Sequence, residues 1–195
     1  MSYNPEIHKR KSIRLKGYDY SQAGLYFITI CCQNREHLFG EIKNGEMILN
    51  DAGQMIENEW LNLKNRFPTI ELHEYITMPN HFHGILEIVR ATLVVAPNEG
   101  IETIEEGQPQ GTAPTTIVPT TTATNKTIGD MMDAFKSITT VQYIRGVKNL
   151  GWKPFVGKIW QRDYYEHIIR NEQAYDNISN YIINNPKKWD ADKFH

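Results

Sequence analysis

The sequence predicts an α+β fold: a ferredoxin-like, mainly antiparallel sheet with helices packed on one face. Three observations predict it. Short runs rich in β-branched and aromatic residues alternate with segments of helical periodicity, an Asn-Gly pair marks a hairpin, and the order reads strand, hairpin, helix, strand, strand, helix, helix.

Each element has a local cause. Residues 24–34 (Gly-Leu-Tyr-Phe-Ile-Thr-Ile-Cys-Cys-Gln-Asn) read as a central strand. Residues 39–43 and 46–49 flank Asn44-Gly45, a strong two-residue hairpin signal. Asp51 is the expected N-cap of a helix through about Asn65, because Met55, Ile56, Trp60 and Leu63 recur at helical spacing and Pro68 lies beyond the stop. Residues 70–77 and 81–89 form a strand pair around Met78-Pro79-Asn80. Residues 91–125 are rich in Thr, Pro, Gly and Glu and read as a flexible insertion in a single domain spanning 1–195. Order resumes at Thr127, and a second helix carries Met131, Met132, Phe135, Ile138, Val141 and Ile144 and runs to about Lys148, before Gly151. Residues 159–169 read as a strand or an extended approach. Asn171 caps a last helix that Pro186 ends, and the polar tail 187–195 is expected to be peripheral.

Composition narrows the function. With 40% hydrophobic and 11% aromatic residues in 195, a packed core is available. No apolar stretch approaches the roughly 20 residues of a membrane span, and the N-terminus lacks the apolar core of a signal peptide, so the expected location is the cytoplasm. Cys31 and Cys32 are adjacent on a strand, point to opposite faces and read as small buried side chains. The net charge of −2 conceals a segregation: without the four glutamates of the 91–125 tract it becomes +2. Arg10, Lys11 and Arg14 make the N-terminal arm basic, and Lys136, Arg145, Lys158 and Arg162 lie in the C-terminal half. Such residues can follow a phosphate backbone, and equally can be a solvated mixed-charge surface.

The segment Met78-Pro79-Asn80-His81-Phe82-His83-Gly84-Ile85-Leu86 carries the chemistry. On a strand, residues i and i+2 share a face, so His81 and His83 project together while Phe82 packs behind them. Paired imidazoles on a rigid strand can hold a divalent metal with positions left open for substrate. Spacing alone fits ordinary strand histidines as well. In the last helix, Ile178 and Ile182 mark the core stripe, Tyr181 lies at its border, and Asn185 is one turn further on the same side. Helical spacing by itself fits an amphipathic surface tyrosine.

Met-Pro-Asn-His-Phe-His-Gly-Ile-Leu, the segment Ile159-Trp160-Gln161-Arg162-Asp163-Tyr164-Tyr165-Glu166-His167-Ile168-Ile169-Arg170, and Tyr181-Ile182-Ile183-Asn184-Asn185-Pro186 occur in that order. Together with the strand Gly24-Leu25-Tyr26-Phe27-Ile28-Thr29, they resemble the REP-associated tyrosine transposases. These belong to the single-tyrosine transposases of the insertion-sequence-200/605 type, within the His-hydrophobic-His (HUH) endonucleases. The resemblance runs from about residue 17 to 188, excluding 91–125. It implies a metal-dependent enzyme that nicks and rejoins single-stranded DNA through a 5′-phosphotyrosine. His81 and His83 match the metal-binding histidines, Tyr181 the nucleophile, and Asn185 a third ligand for Mg2+ or Mn2+. It further implies hairpin-forming DNA as partner and a monomer or homodimer. Arg10, Lys11, Arg14, Lys136, Arg145, Lys158 and Arg162 are the candidate DNA contacts, with Trp152, Trp160, Tyr164 and Tyr165 able to stack on bases or fill the core. Tyr164 and Tyr165 are rival nucleophiles outside the matching helix, and His167 reads as structural. A DNA-binding protein that keeps the fold without cleaving is the alternative.

Overall fold

The computed structural model describes residues 17–89 and 126–194. The 91–125 tract and the basic residues Arg10, Lys11 and Arg14 lie outside them. Four strands form one antiparallel sheet in the order β4-β5-β1-β6, from β1 (Gly24–Cys31), β4 (Ile70–Met78), β5 (His81–Ile88) and β6 (Tyr165–Ile169). The short hairpin β2 (Gly40–Lys43) and β3 (Glu46–Leu49) stands apart, turned by Asn44 and Gly45, both at positive φ as a two-residue turn of this hand requires. With α1 (Asp51–Leu61) between β1 and β4 and α3 (Ile128–Leu150) between β5 and β6, the ferredoxin-like plan of the sequence is realised.

The helices begin and end for identifiable reasons. Asn50, not Asp51, caps α1: its Oδ1 accepts from the Gly53 amide at 2.9 Å, and Asp51 becomes the first helical residue, where a carboxylate favours the helix dipole. The helix breaks at Asn62, leaving one short turn, α2 (Leu63–Arg66). Thr127 and Asp130 cap α3 reciprocally, and Gly151 ends it at φ 70°. Asn171 caps α4 (Glu172–Asn184) through the Ala174 amide. Only the last part of the 159–169 segment is strand.

The sheet is covered on both faces, which corrects the one-sided packing expected. α1 and α3 bury Ile56, Trp60, Met131, Met132 and Phe135 against Tyr26, Ile28, Ile30, Phe82 and Leu86. α4 packs on the opposite face, setting Ile178 and Ile182 against Phe27, Ile76, Ile85 and Ile169. β5 is therefore buried on both sides from His81 to Leu86, which is why Gly84, Ile85 and Leu86 are all apolar before Glu87 interrupts the run.

At Gly84 the sheet backbone lies directly against the Trp60 ring of α1. A methyl group there would stand 2.6 Å from Trp60 Cζ2 and 2.9 Å from Phe82 Cε1, both on fully buried rings. Gly84→Ala is expected to lower the unfolding free energy by about 1–3 kcal/mol. Urea denaturation checks this; a wild-type midpoint would mean that the strand can shift to accommodate the methyl group.

Candidate active site

The histidine strand begins at a tight turn. Met78 pairs with His81 across Pro79-Asn80, and on the other side Cys31 and Thr29 of β1 pair with His81 and His83. Phe82 points into the main core between Trp60 and Phe135, at centroid distances of 4.7 and 5.5 Å. His81 and His83 consequently face α4, with ring centroids 4.5 Å apart and no solvent exposure.

Neighbouring groups orient both imidazoles. The Asn80 amide nitrogen donates to the backbone carbonyls of Phe194 at 2.9 Å and Arg35 at 3.4 Å. Its Oδ1 is thus left to accept from His81 Nδ1 at 2.7 Å, which puts the proton on Nδ1 and the lone pair on Nε2. Thr29 Oγ1 lies 2.8 Å from His83 Nδ1 and can hold that ring in the same tautomer. Burial drives the His81 pKa down to about 4, with Arg35 lowering it further and Asp192 opposing. His83 is held well below the ordinary imidazole value by burial, then by His81 and Lys193. Both are neutral imidazoles at physiological pH, the form that binds metal.

α4 brings the tyrosine. The Tyr181 hydroxyl lies 3.3 Å from His83 Nε2 and donates to Asp192 Oδ2 at 3.2 Å. Burial, and then the charge and hydrogen bond of Asp192, raise its pKa above the ordinary phenol value. Asn185, one turn on, is buried and donates from Nδ2 to Asp192 Oδ2 at 2.6 Å. Tyr164 packs on the main core, Tyr165 is half exposed and His167 is exposed. Of the three candidate tyrosines, Tyr181 is the one whose hydroxyl is placed at the histidine pair.

Asp192 comes from the tail that the sequence assigned to the periphery, and this is the main correction. Pro186 cannot continue α4 and starts a 3₁₀ turn (Pro186–Ala191) that carries the chain back over the histidines. Trp189 stacks on His81 with centroids 6.0 Å apart, and Phe194 lies 5.3 Å from His81 and 5.7 Å from His83. The Arg35 guanidinium donates to the Lys193 carbonyl at 2.7 Å, and the Phe194 amide donates to Asp192 Oδ1 at 2.6 Å. Two aromatics in an otherwise polar tail were the signal available in the sequence.

His81, His83 and Asp192 could hold a metal ion: one ligand atom from each lies within 4.8 Å of the others. The site is also short of partners. His81 Nε2 and Asn185 Oδ1 are both buried and make no hydrogen bond, which is the condition a bound cation relieves. Two imidazoles, a carboxylate and an amide oxygen form a donor set that suits a divalent ion. Beside them opens a cleft of about 300 Å³ lined by Tyr181, Asn185, Lys188, Ala191, Asp192 and Lys193.

The other candidates are distributed differently. Lys136 is half-buried, and its ammonium donates to the Gln161 and Arg162 carbonyls at 2.8 and 2.7 Å. Trp160 is buried, and Trp152 packs against the core with its ring on Gly146. Arg145, Lys158 and Arg162 are exposed. Cys31 and Cys32 are buried free thiols, as the sequence indicated.

No protein-family model matches the chain. A protein of Haemophilus influenzae strain Rd is 40% identical over 194 residues, which is 99% of this chain and 97% of that one. This chain belongs to the same family as that protein. Among solved structures, a REP-associated tyrosine transposase bound to a REP hairpin superposes with a TM-score of 0.52 and 19% identity, over 90% of this chain and 74% of that one. The chain has the transposase fold. No helix among the described residues is long and apolar enough to cross a membrane.

The neutral histidines carry a stability consequence. Their native pKa values lie below the unfolded value near ~6.5, so between pH 6.5 and about 4 the unfolded chain binds more protons and stability falls as pH falls. The expected slope is at most about 1.4 kcal/mol per pH unit for each imidazole. Metal-free wild type should lose stability faster than His83→Gln over this window, measured by urea midpoints. Parallel curves would mean that the native imidazole takes up protons freely.

Proposed function

We propose that this protein is a metal-dependent single-stranded DNA endonuclease and strand transferase of transposase type, and that Tyr181 is its nucleophile. The observation that carries the reading is the Tyr181 hydroxyl, which lies at hydrogen-bond distance from both His83 and Asp192 at the mouth of an open cleft. The shared fold with a transposase that binds a REP hairpin supports DNA of that kind as substrate.

His81, His83 and Asp192, with Asn185 beside them, would hold the cation, Mg2+ or Mn2+. When bound, it would polarise the scissile phosphate and stabilise charge on its oxygens. The residues of the chain do the rest. Burial keeps Tyr181 a neutral phenol, so attack must be accompanied by loss of its proton, and Asp192 Oδ2 is the acceptor already in place. The Oη–P bond forms as the P–O3′ bond breaks. The departing 3′ oxygen takes up a proton, leaving a 5′-phosphotyrosine and a free 3′-OH. The number of phosphoester bonds is unchanged, so rejoining needs no ATP. Cationic Lys188 and Lys193 line the cleft that receives the anionic strand.

Two measurements test this. Labelled single-stranded DNA hairpins from the sequence flanking the coding region, incubated with Mn2+, should yield a covalent protein–DNA adduct on denaturing gels. Tyr181→Phe and chelator should each abolish it, a loss of at least ~10³-fold. Hairpin binding with no adduct would favour the non-cleaving binder. Separately, Mn2+ should raise the melting temperature of chelator-treated wild type by mass action. Asp192→Ala and His83→Ala should lose that rise; an undiminished rise in Asp192→Ala would remove Asp192 from the ligand set.

A further inference from the structure

Residues 145–162 contain Arg145, Lys148, Lys153, Lys158 and Arg162 and no acidic residue. The same stretch carries the two most exposed large apolar side chains among the described residues, Val156 at 81% and Leu150 at 68%. Along the chain the apolar groups alternate with the cations, and the stretch is anchored at both ends. Tyr143 donates to the Lys153 carbonyl at 2.9 Å, and the Trp152 ring sits on Gly146. At the other end the Gln33 amide donates to the Ile159 carbonyl at 2.6 Å, the Gln161 amide donates to the Cys31 carbonyl at 2.9 Å, and Trp160 Nε1 donates to Thr139 Oγ1 at 2.9 Å. Between these anchors, Gly157 at φ 76° turns the chain and leaves Val156 in solvent.

The mounting places this tongue at the histidine end of the sheet. Residues 159–161 join the end of β1, where Cys31 pairs with His81. Lys153 Nζ donates to the His37 carbonyl at 3.4 Å, and the His37 ring packs on Trp189, which stacks on His81. A ligand that satisfies these exposed cations together with projecting apolar groups needs spaced anions and apolar faces. Single-stranded DNA offers both, in phosphates and unstacked bases.

We propose that residues 145–162 form a cationic tongue that grips unpaired DNA beside the cleavage site, with Val156 entering between two bases as a wedge. Lys158 and Arg162 hold the phosphates on either side, and Leu150 adds apolar contact at the root. This rests on the reading of the protein as DNA-acting, but not on cleavage.

The test uses full-length Tyr181→Phe protein, which cannot form the adduct, and a hairpin with 2-aminopurine in the unpaired segment at its foot. Binding should raise 2-aminopurine fluorescence as the base unstacks. Adding Val156→Ser should remove at least half of that rise while the dissociation constant, from anisotropy, stays within about twofold, because one exposed valine contributes little to electrostatic affinity. Lys158→Ala/Arg162→Ala should weaken binding about tenfold and reduce the salt slope by about 1.4, the ~0.7 expected per single-strand phosphate counted twice. An undiminished fluorescence rise in the Val156→Ser protein, or unchanged affinity and slope in the double variant, overturns the proposal. So does a drop in sedimentation mass on Val156→Ser, which would assign the patch to a second copy of this chain. A wild-type adduct without the fluorescence response would keep the nuclease and lose the tongue; the reverse would keep the tongue and lose the nuclease.

Discussion

Everything at this site depends on the register of β5. The strand is paired on both edges and packed on both faces, so its side chains have no freedom to exchange sides. Phe82 is held between Trp60 and Phe135, and that single buried ring obliges His81 and His83 to face α4. Gly84 serves the same end, since the Trp60 ring occupies the space a side chain would need. A slip of one residue would carry both imidazoles into the hydrophobic core, where desolvation without partners costs several kcal/mol. The hydrophobic layer on one side of the sheet thus specifies the chemical layer on the other.

The second constraint is how the imidazoles are oriented once buried. Asn80 sits in the turn before the strand, and its amide nitrogen binds carbonyls from two distant segments, Arg35 and Phe194. That leaves one orientation for its oxygen and therefore one tautomer for His81. The turn that starts the strand, the loop after β1 and the end of the chain are tied together at one side chain. A polar residue of this kind couples local turn chemistry to the ligand geometry next door.

Much of this was legible in the sequence. The strand spacing, the Asn-Gly hairpin, the return of order at Thr127, the cap at Asn171 and the Tyr181–Asn185 turn of α4 all follow from period and punctuation, and the structure places His81, His83, Tyr181 and Asn185 together. Three things were not legible, for physical reasons. α4 covers the second sheet face because consecutive β5 residues such as Ile85 and Leu86 are both buried, and a short apolar run does not say what lies on each side. Asp192 sits in a tail whose composition is polar; its place is set by Trp189 and Phe194, two anchors too widely spaced to show a period. Lys136 looks like any cationic helix residue, and only tertiary structure reveals its ammonium bound to two carbonyls, with burial lowering its pKa.

The unpaired atoms make the strongest argument that the arrangement is functional. A fold optimised for stability alone would not bury His81 Nε2 and Asn185 Oδ1 without hydrogen-bond partners, because each such group costs about 1–3 kcal/mol. Nor would it place a phenol beside a carboxylate that raises its pKa. A cation at these lone pairs would reverse both penalties: it would supply the missing partner, and its charge would oppose the effect of Asp192 on Tyr181. The same groups that are unfavourable in isolation would be mutually satisfied around one ion and one phosphate. The surrounding sheet, whose core is built from Trp60, Phe82 and Phe135, is what can sustain that local cost.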